Sequence, residues 1–191
     1  MFCDARAGDD GLATSATVCI IGGGSAGITM ALEFERHGID TVLLESGGFK
    51  PDADTTDLYR GENVGIPYEF GDGMRSRLLG GGSNCWGGWC RPLDAEDLQR
   101  RDWVAHSGWP FELAELMPYY ERAHPLLHLG PFNYDLPHWV SAIDRPDVRR
   151  MPLPSGQVLD SISQFSPPMR FGKHYRKALK QARHVRVFLH A

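Results

Sequence analysis

Long apolar runs are missing from this 191-residue chain, so no stretch reads as a transmembrane helix. An excess of positive charge is missing too. The net charge is −4, which removes the electrostatic case for nucleic acid or an anionic membrane surface as a partner. The N-terminus, Met1 to Arg6, lacks the basic head and apolar core of a signal peptide, and a cytoplasmic location is expected. Cysteine is scarce, with four residues in all, so no disulfide framework is expected and a reducing compartment is the simpler reading. Metal-ligand patterns are thin. His124 and His128 stand four apart, but Pro125 lies between them and no third ligand is near, so surface or packing roles are expected. Cys85 and Cys90 have no second cysteine pair to complete a zinc site, and no metal is expected. What remains is an ordinary globular composition, 42% hydrophobic and 23% charged, in a chain long enough for one domain with a real core.

The most informative stretch is Ala16 to Leu32. Val18 to Ile21 is apolar and rich in β-branched residues, as a buried strand of a parallel sheet would be. Gly22, Gly24 and Gly27 follow at G-x-G-x-x-G spacing. A helical pattern comes next, with Ile28, Ala31 and Leu32 on one face and Glu33, Arg36 and His37 away from it. Gly38 stops it, and a second strand, Thr41 to Leu44, ends in Glu45. Each part has a physical task. Gly22 permits the tight turn, Gly24 lets backbone approach a pyrophosphate, and Gly27 lets helix and strand pack closely. The helix N-terminus offers free N–H groups to phosphate, and Glu45 is placed to accept hydrogen bonds from a ribose diol. In a chain with 22 glycines the spacing alone is weak; the order strand, glycines, helix, strand, acid carries the dinucleotide reading over a structural glycine turn. Glu45 by itself does not separate FAD from NAD.

A second stretch runs from Met74 to Leu93 and holds the glycines Gly80, Gly81, Gly82, Gly87 and Gly88. So dense a glycine run predicts a loop with open backbone, not a helix or strand interior. Trp86 and Trp89 lie inside it, and a flexible linker rarely carries two tryptophans and two cysteines. A cofactor contact is the better reading.

The remainder is read more coarsely. The first dozen residues, with Gly8, Asp9, Asp10 and Gly11, read as a leader without structure. Asp52 to Asp57 reads as a solvated acidic loop, and Tyr59 to Tyr68 as irregular. Asp94 is expected to cap a short helix. Residues Trp103 to Pro110 form a turn, and Leu113, Leu116, Tyr120 and Ala123 recur at helical spacing, with Pro118 starting a new segment. Gly130 to Pro168 reads mostly as loop. A basic helix over Lys173 to Arg183 with a solvated charged face, and a strand over Val185 to Leu189, close the chain.

Taken together, these motifs resemble the glucose–methanol–choline (GMC) flavoprotein oxidoreductases. The resemblance rests on Gly22 to Gly27, Glu45-Ser46-Gly47, Leu79 to Gly88, Asp102-Trp103 with Ser107 to Pro110, Pro118 to Ala123, and Ser166 to Gly172. It implies FAD as cofactor. Gly22, Gly24, Ser25, Ala26 and Gly27 would hold the pyrophosphate, and Glu45 with Ser46 the adenosine ribose. Arg77 and the loop carrying Gly80, Gly81, Ser83, Asn84, Cys85 and Trp86 would lie against the ribityl chain and isoalloxazine. It also implies oxidation of a CH–OH group of a small alcohol or sugar, a base taking the hydroxyl proton as hydride passes to flavin N5. The implied fold class is α/β, a Rossmann-like FAD/NAD(P)-binding domain that begins βαβ and carries a long irregular and helical insertion. Its parts would be residues 14–48 for the dinucleotide unit, 49–172 for the flavin-contacting loop and insertion, and 173–191 for a helix and strand returning to the sheet.

Two departures from the family matter. Some relatives have histidine, in certain members flavin-bonded, where this chain has Cys85; a small buried thiol is expected here. The family's catalytic histidine, its partner and the substrate-binding sheet match nothing in the chain, so no catalytic residue is assigned and the Rossmann unit is expected to be incomplete. The expectation is an N-terminal portion that alone binds FAD weakly or not at all and turns over no alcohol. A separate C-terminal polypeptide or an electron acceptor would be its partner. A catalytically dead fragment, a non-enzymatic nucleotide-binding module and an NAD-linked dehydrogenase remain the alternatives.

Overall fold

Six strands and seven helices form among the residues described by the computed structural model, which are 1–8, 13–68, 75–143, 145, 147, 151–154, 156 and 158–191. The strands are β1 (Phe2–Asp4), β2 (Val18–Ile21), β3 (Thr41–Glu45), β4 (Trp89–Cys90), β5 (Gln164–Phe165) and β6 (Val185–Leu189). The helices are α1 (Ser25–Arg36), α2 (Ala53–Asp57), α3 (Ala95–Leu98), α4 (Leu113–Leu126), α5 (Leu136–Ala142), α6 (Phe171–His174) and α7 (Arg176–Gln181). None of these helices is long and apolar enough to cross a membrane. The chain divides into two units, Met1–Trp86 with Pro168–Ala191, and Gly87–Pro167.

The first unit is built on a parallel sheet of order β1-β6-β3-β2. Register aligns Ile20, Leu43 and Val187 across three strands. All three are buried, and so are Ile28 and Ala31 of α1 and Leu179 of α7. Burying one such aliphatic side chain stabilises by about 1.5–3 kcal/mol. The apolar stripe on α1 thus explains why that helix lies on the sheet. Its far end is tied down as well: Glu35 Oε1 accepts from the Arg183 amide (2.9 Å) and Oε2 from that of His184 (2.8 Å). Burial pushes the Glu35 carboxyl up, but these two amides outweigh it and hold the group below its ordinary value. Among the described residues β2 pairs only with β3, so its outer edge is open and Ile21 is 86% exposed.

Several expectations are corrected here. Within the first dozen residues, Phe2–Asp4 forms a strand on β6, and the Met1 ammonium donates to the carbonyls of Leu179 and Val185. Asp9, Asp10 and Gly11 lie outside the described residues, as does Met74. The acidic stretch after Asp52 is a helix, because the Asp52 carboxylate takes the Thr55 amide (2.9 Å) and caps α2. Within the glycine run, Gly81–Asn84 winds one 3₁₀ turn, and β4 follows. The basic helix is broken at Tyr175 into α6 and α7.

In the second unit, β4 and β5 pair antiparallel, with Trp89 and Phe165 edge to face at 4.9 Å. Pro118 does not start a new segment: α4 runs through both Pro118 and Pro125. A reciprocal cap between Glu112 and Glu115 anchors its start, and the helix continues although each proline gives up its backbone bond and crowds the carbonyl four residues back. The stretch read as loop contains α5, capped by Asp135 with Pro137 in its first turn, and β5. His124 is buried in α4. Its Nδ1 lies 3.0 Å from the Gly130 carbonyl, which can only accept, so Nε2 is left to accept from the Tyr134 hydroxyl at 3.0 Å. Burial raises the Tyr134 hydroxyl pKa, which keeps that O–H a donor. His124 is therefore a packing residue, and His128 has a left-handed backbone with a φ of 53°.

Candidate functional site

The site is built where β2 gives way to α1. Gly22 turns the chain at a φ of 105°, and its amide is held by the Leu44 carbonyl (2.7 Å). Gly24 occupies the N-cap in extended conformation and has no side chain to cap the helix. The first-turn N–H groups, from Ser25 through Ala26 to Gly27, therefore have no intrahelical acceptor. Gly27 packs so closely that a Cβ there would overlap the Gly22 carbonyl oxygen. An uncapped twelve-residue helix end behind a left-handed glycine turn is a ready site for an anion.

Glu45 ends β3 and is buried. Its carboxylate spans two loops: Oε2 accepts from the Gly23 amide and Oε1 from the Gly47 amide, both at 2.8 Å. Ser46 and Arg77 stand beside it, an Arg77 terminal nitrogen donating to Ser46 Oγ at 3.2 Å. The Arg77 guanidinium lies 5.1 Å from the centre of the Tyr59 ring. Its Nε is buried and, among the described residues, has no hydrogen-bond acceptor. A buried cationic donor without an acceptor among the described residues, next to Ser46 and the acid that precedes it, fits an anionic nucleotide.

The second glycine loop closes on the first. The Gly80 amide donates to the Gly23 carbonyl (2.7 Å), and a Cβ on Gly81 would stand 2.9 Å from Gly24 Cα. Gly80 and Gly81 have φ of 103° and 50°, a conformation that favours glycine. Ser83 and Asn84 brace this loop from within. Ser83 Oγ donates to the Gly80 carbonyl (2.6 Å) and accepts from the Phe171 amide (3.1 Å). Asn84 Nδ2 donates to the carbonyls of Leu79 and Gly81. Trp86 is pinned through Nε1 to the Met169 carbonyl at 2.8 Å. Cys85 is exposed, contrary to the buried thiol expected, because the 3₁₀ turn it closes points its side chain outward.

Some residues of this assembly carried no signal that singled them out. Arg170 donates to the carbonyls of Ser83 (2.7 Å) and Trp86 (3.0 Å) and so fixes the loop from the far end of the chain. Gly172 and Gly47 are packed flat against Leu79–Gly80 and Arg77–Leu78, with no room for a Cβ. The motifs that contain them were visible; the contacts that explain them join residues far apart in sequence.

Residues 15–61 match a family model described as an FAD binding domain. Over 164 residues the chain is 33% identical to 6'''-hydroxyparomomycin C oxidase of Streptomyces lividus, covering 77% of this chain and 29% of that protein. The chain thus spans under a third of the length of that curated relative. Among solved structures, pyridoxine 4-oxidase from Mesorbium loti matches 56% of this chain and 24% of its own, at 25% identity and a TM-score of 0.35. The cofactor is FAD, which resolves the choice that Glu45 left open.

Proposed function

We propose that the chain is the N-terminal, FAD-binding portion of a GMC FAD-dependent oxidoreductase, and that the protein carrying it oxidises a CH–OH group of an alcohol or sugar. Bound FAD supplies the hydride acceptor for that chemistry. In this reading the N–H groups at Gly24, Ser25, Ala26 and Gly27 hold the diphosphate behind the turn at Gly22. Glu45 accepts from the ribose hydroxyls; an ionised carboxylate has lone pairs left after binding the Gly23 and Gly47 amides. Arg77 and Ser46 add a cation and a hydroxyl beside it. Gly80, Gly81, Cys85 and Trp86 present the second loop to the rest of the cofactor, with Ser83 and Asn84 holding its shape.

The observation that supports this reading most directly is the uncapped N-terminus of α1, with Arg77, next to Ser46, holding a buried Nε that has no hydrogen-bond acceptor among the described residues. The sequence similarity to an oxidase supports the reaction class. The test is a visible spectrum of the purified protein, followed by anaerobic mixing with a panel of primary alcohols and sugars. Flavin absorbance that bleaches with one member of the panel is expected. Protein with bound flavin that no alcohol or sugar bleaches would point instead to a nucleotide-binding module.

A further inference from the structure

The loop that carries Glu45 is held from behind by a residue outside every motif described above. The His190 amide donates to the Gly47 carbonyl (3.2 Å), and the Ala191 amide to the Glu45 carbonyl (3.1 Å). The His190 ring lies over Gly48, where a Cβ would stand 2.5 Å from Nε2 and 2.7 Å from Cε1. On the other side of the loop, the Leu79 amide donates to the Gly48 carbonyl (3.0 Å). The loop is thus gripped between residues 77–79 and the end of β6.

Two features of His190 exceed what packing requires. Its φ is 55°, a left-handed conformation that a side-chain-bearing residue rarely adopts. Its Nδ1 is buried and without a hydrogen bond among the described residues, 4.0 Å from Asp52 Oδ2. Asp52 is the cap of α2, engaged by the Thr55 amide and hydroxyl. The imidazole therefore stands where β6, the Gly47–Gly48 turn and the start of α2 meet.

We propose that His190 is a positioning residue for the adenosine end of the cofactor: by seating Gly47 and Gly48 it fixes the Glu45 carboxylate at the ribose. The inference rests on the assignment of Glu45 to the ribose, and it makes His190 act through that loop without touching the nucleotide.

The test compares His190→Gly, which suits the left-handed backbone and removes only the ring, with His190→Asn, which also tolerates that conformation and keeps a side-chain N–H. The full natural protein that carries this chain is titrated with FAD, with ADP and with inorganic pyrophosphate. His190→Gly is expected to weaken FAD and ADP by about tenfold, to leave pyrophosphate unchanged, and to be partly rescued by Asn. Gly48→Ala, which displaces the ring, is expected to weaken ADP in the wild type and to add nothing to His190→Gly. FAD and ADP affinities unchanged in the His190 variants would overturn the inference, and so would parallel losses for all three ligands. Failure of the unaltered protein to bind ADP or FAD would instead overturn the assignment of Glu45.

Discussion

One methyl group added at Gly24 should leave the free fold standing and weaken FAD. The structure supplies the reasoning. A Cβ at Gly24 would meet nothing closer than Gly81 Cα at 4.0 Å, an ordinary contact, and a φ of −78° suits alanine. The apo protein then loses only the N-cap preference for glycine, under about 1 kcal/mol, or a Tm shift of roughly 2–4 °C at most. The methyl would, however, stand where the proposed diphosphate would approach the helix end. Losing one hydrogen bond to a charged group costs about 1.5–3 kcal/mol, so affinity should fall about ten- to hundredfold. Gly27→Ala gives the contrast. Its Cβ would overlap the Gly22 carbonyl, so strand and helix must part. Overpacking of about 1–3 kcal/mol or more exceeds the roughly 1 kcal/mol that alanine gains in a helix. There, apo Tm and FAD affinity should fall together. Scanning fluorimetry of apo protein and a flavin-fluorescence titration separate the two cases. A folded Gly24→Ala variant that binds FAD as tightly as wild type would refute a diphosphate at this turn.

Three further outcomes are expected. The Glu35 carboxyl is held below its ordinary value of 4.5, so its contribution is present above that pH and is lost as pH falls through the lowered value. Glu35→Gln should therefore lower the urea midpoint at pH 7, with the difference from wild type closing as pH falls through the lowered value of the carboxyl. Arg170→Met should strip two hydrogen bonds from the second glycine loop, lower stability by about 2 kcal/mol by thermal melt, and speed alkylation of the exposed Cys85 thiol as the loop loosens. His124→Leu leaves the Gly130 carbonyl and Tyr134 hydroxyl without their partner; a loss of roughly 1–3 kcal/mol is expected by chemical denaturation.

The βαβ core and its glycine turn were legible because their signals are local. Alternation of period, glycine spacing and a stopping Gly38 all fall within about thirty residues, and each reflects a backbone constraint on a single element. Three things escaped for a shared reason. β1 is three residues long, too short for any period to register, and its partner is at the other end of the chain. Arg170 reaches carbonyls 84 and 87 residues away, which no window can see. The hold of His190 on Gly48 is equally remote. Pro118 was misread for a different reason: a rule about one missing amide was allowed to outweigh an anchored amphipathic helix. The direction of the Cys85 side chain follows from the 3₁₀ turn, and composition says nothing about that.

The pairing of β1 with β6 sets an order of events during synthesis. Phe2 lies beside Val187, so residues 2–4 have no strand neighbour among the described residues until β6 has also been made. At roughly 5–20 residues per second they wait about ten to forty seconds as an unclaimed ribbon, and only then does the sheet gain its outermost member.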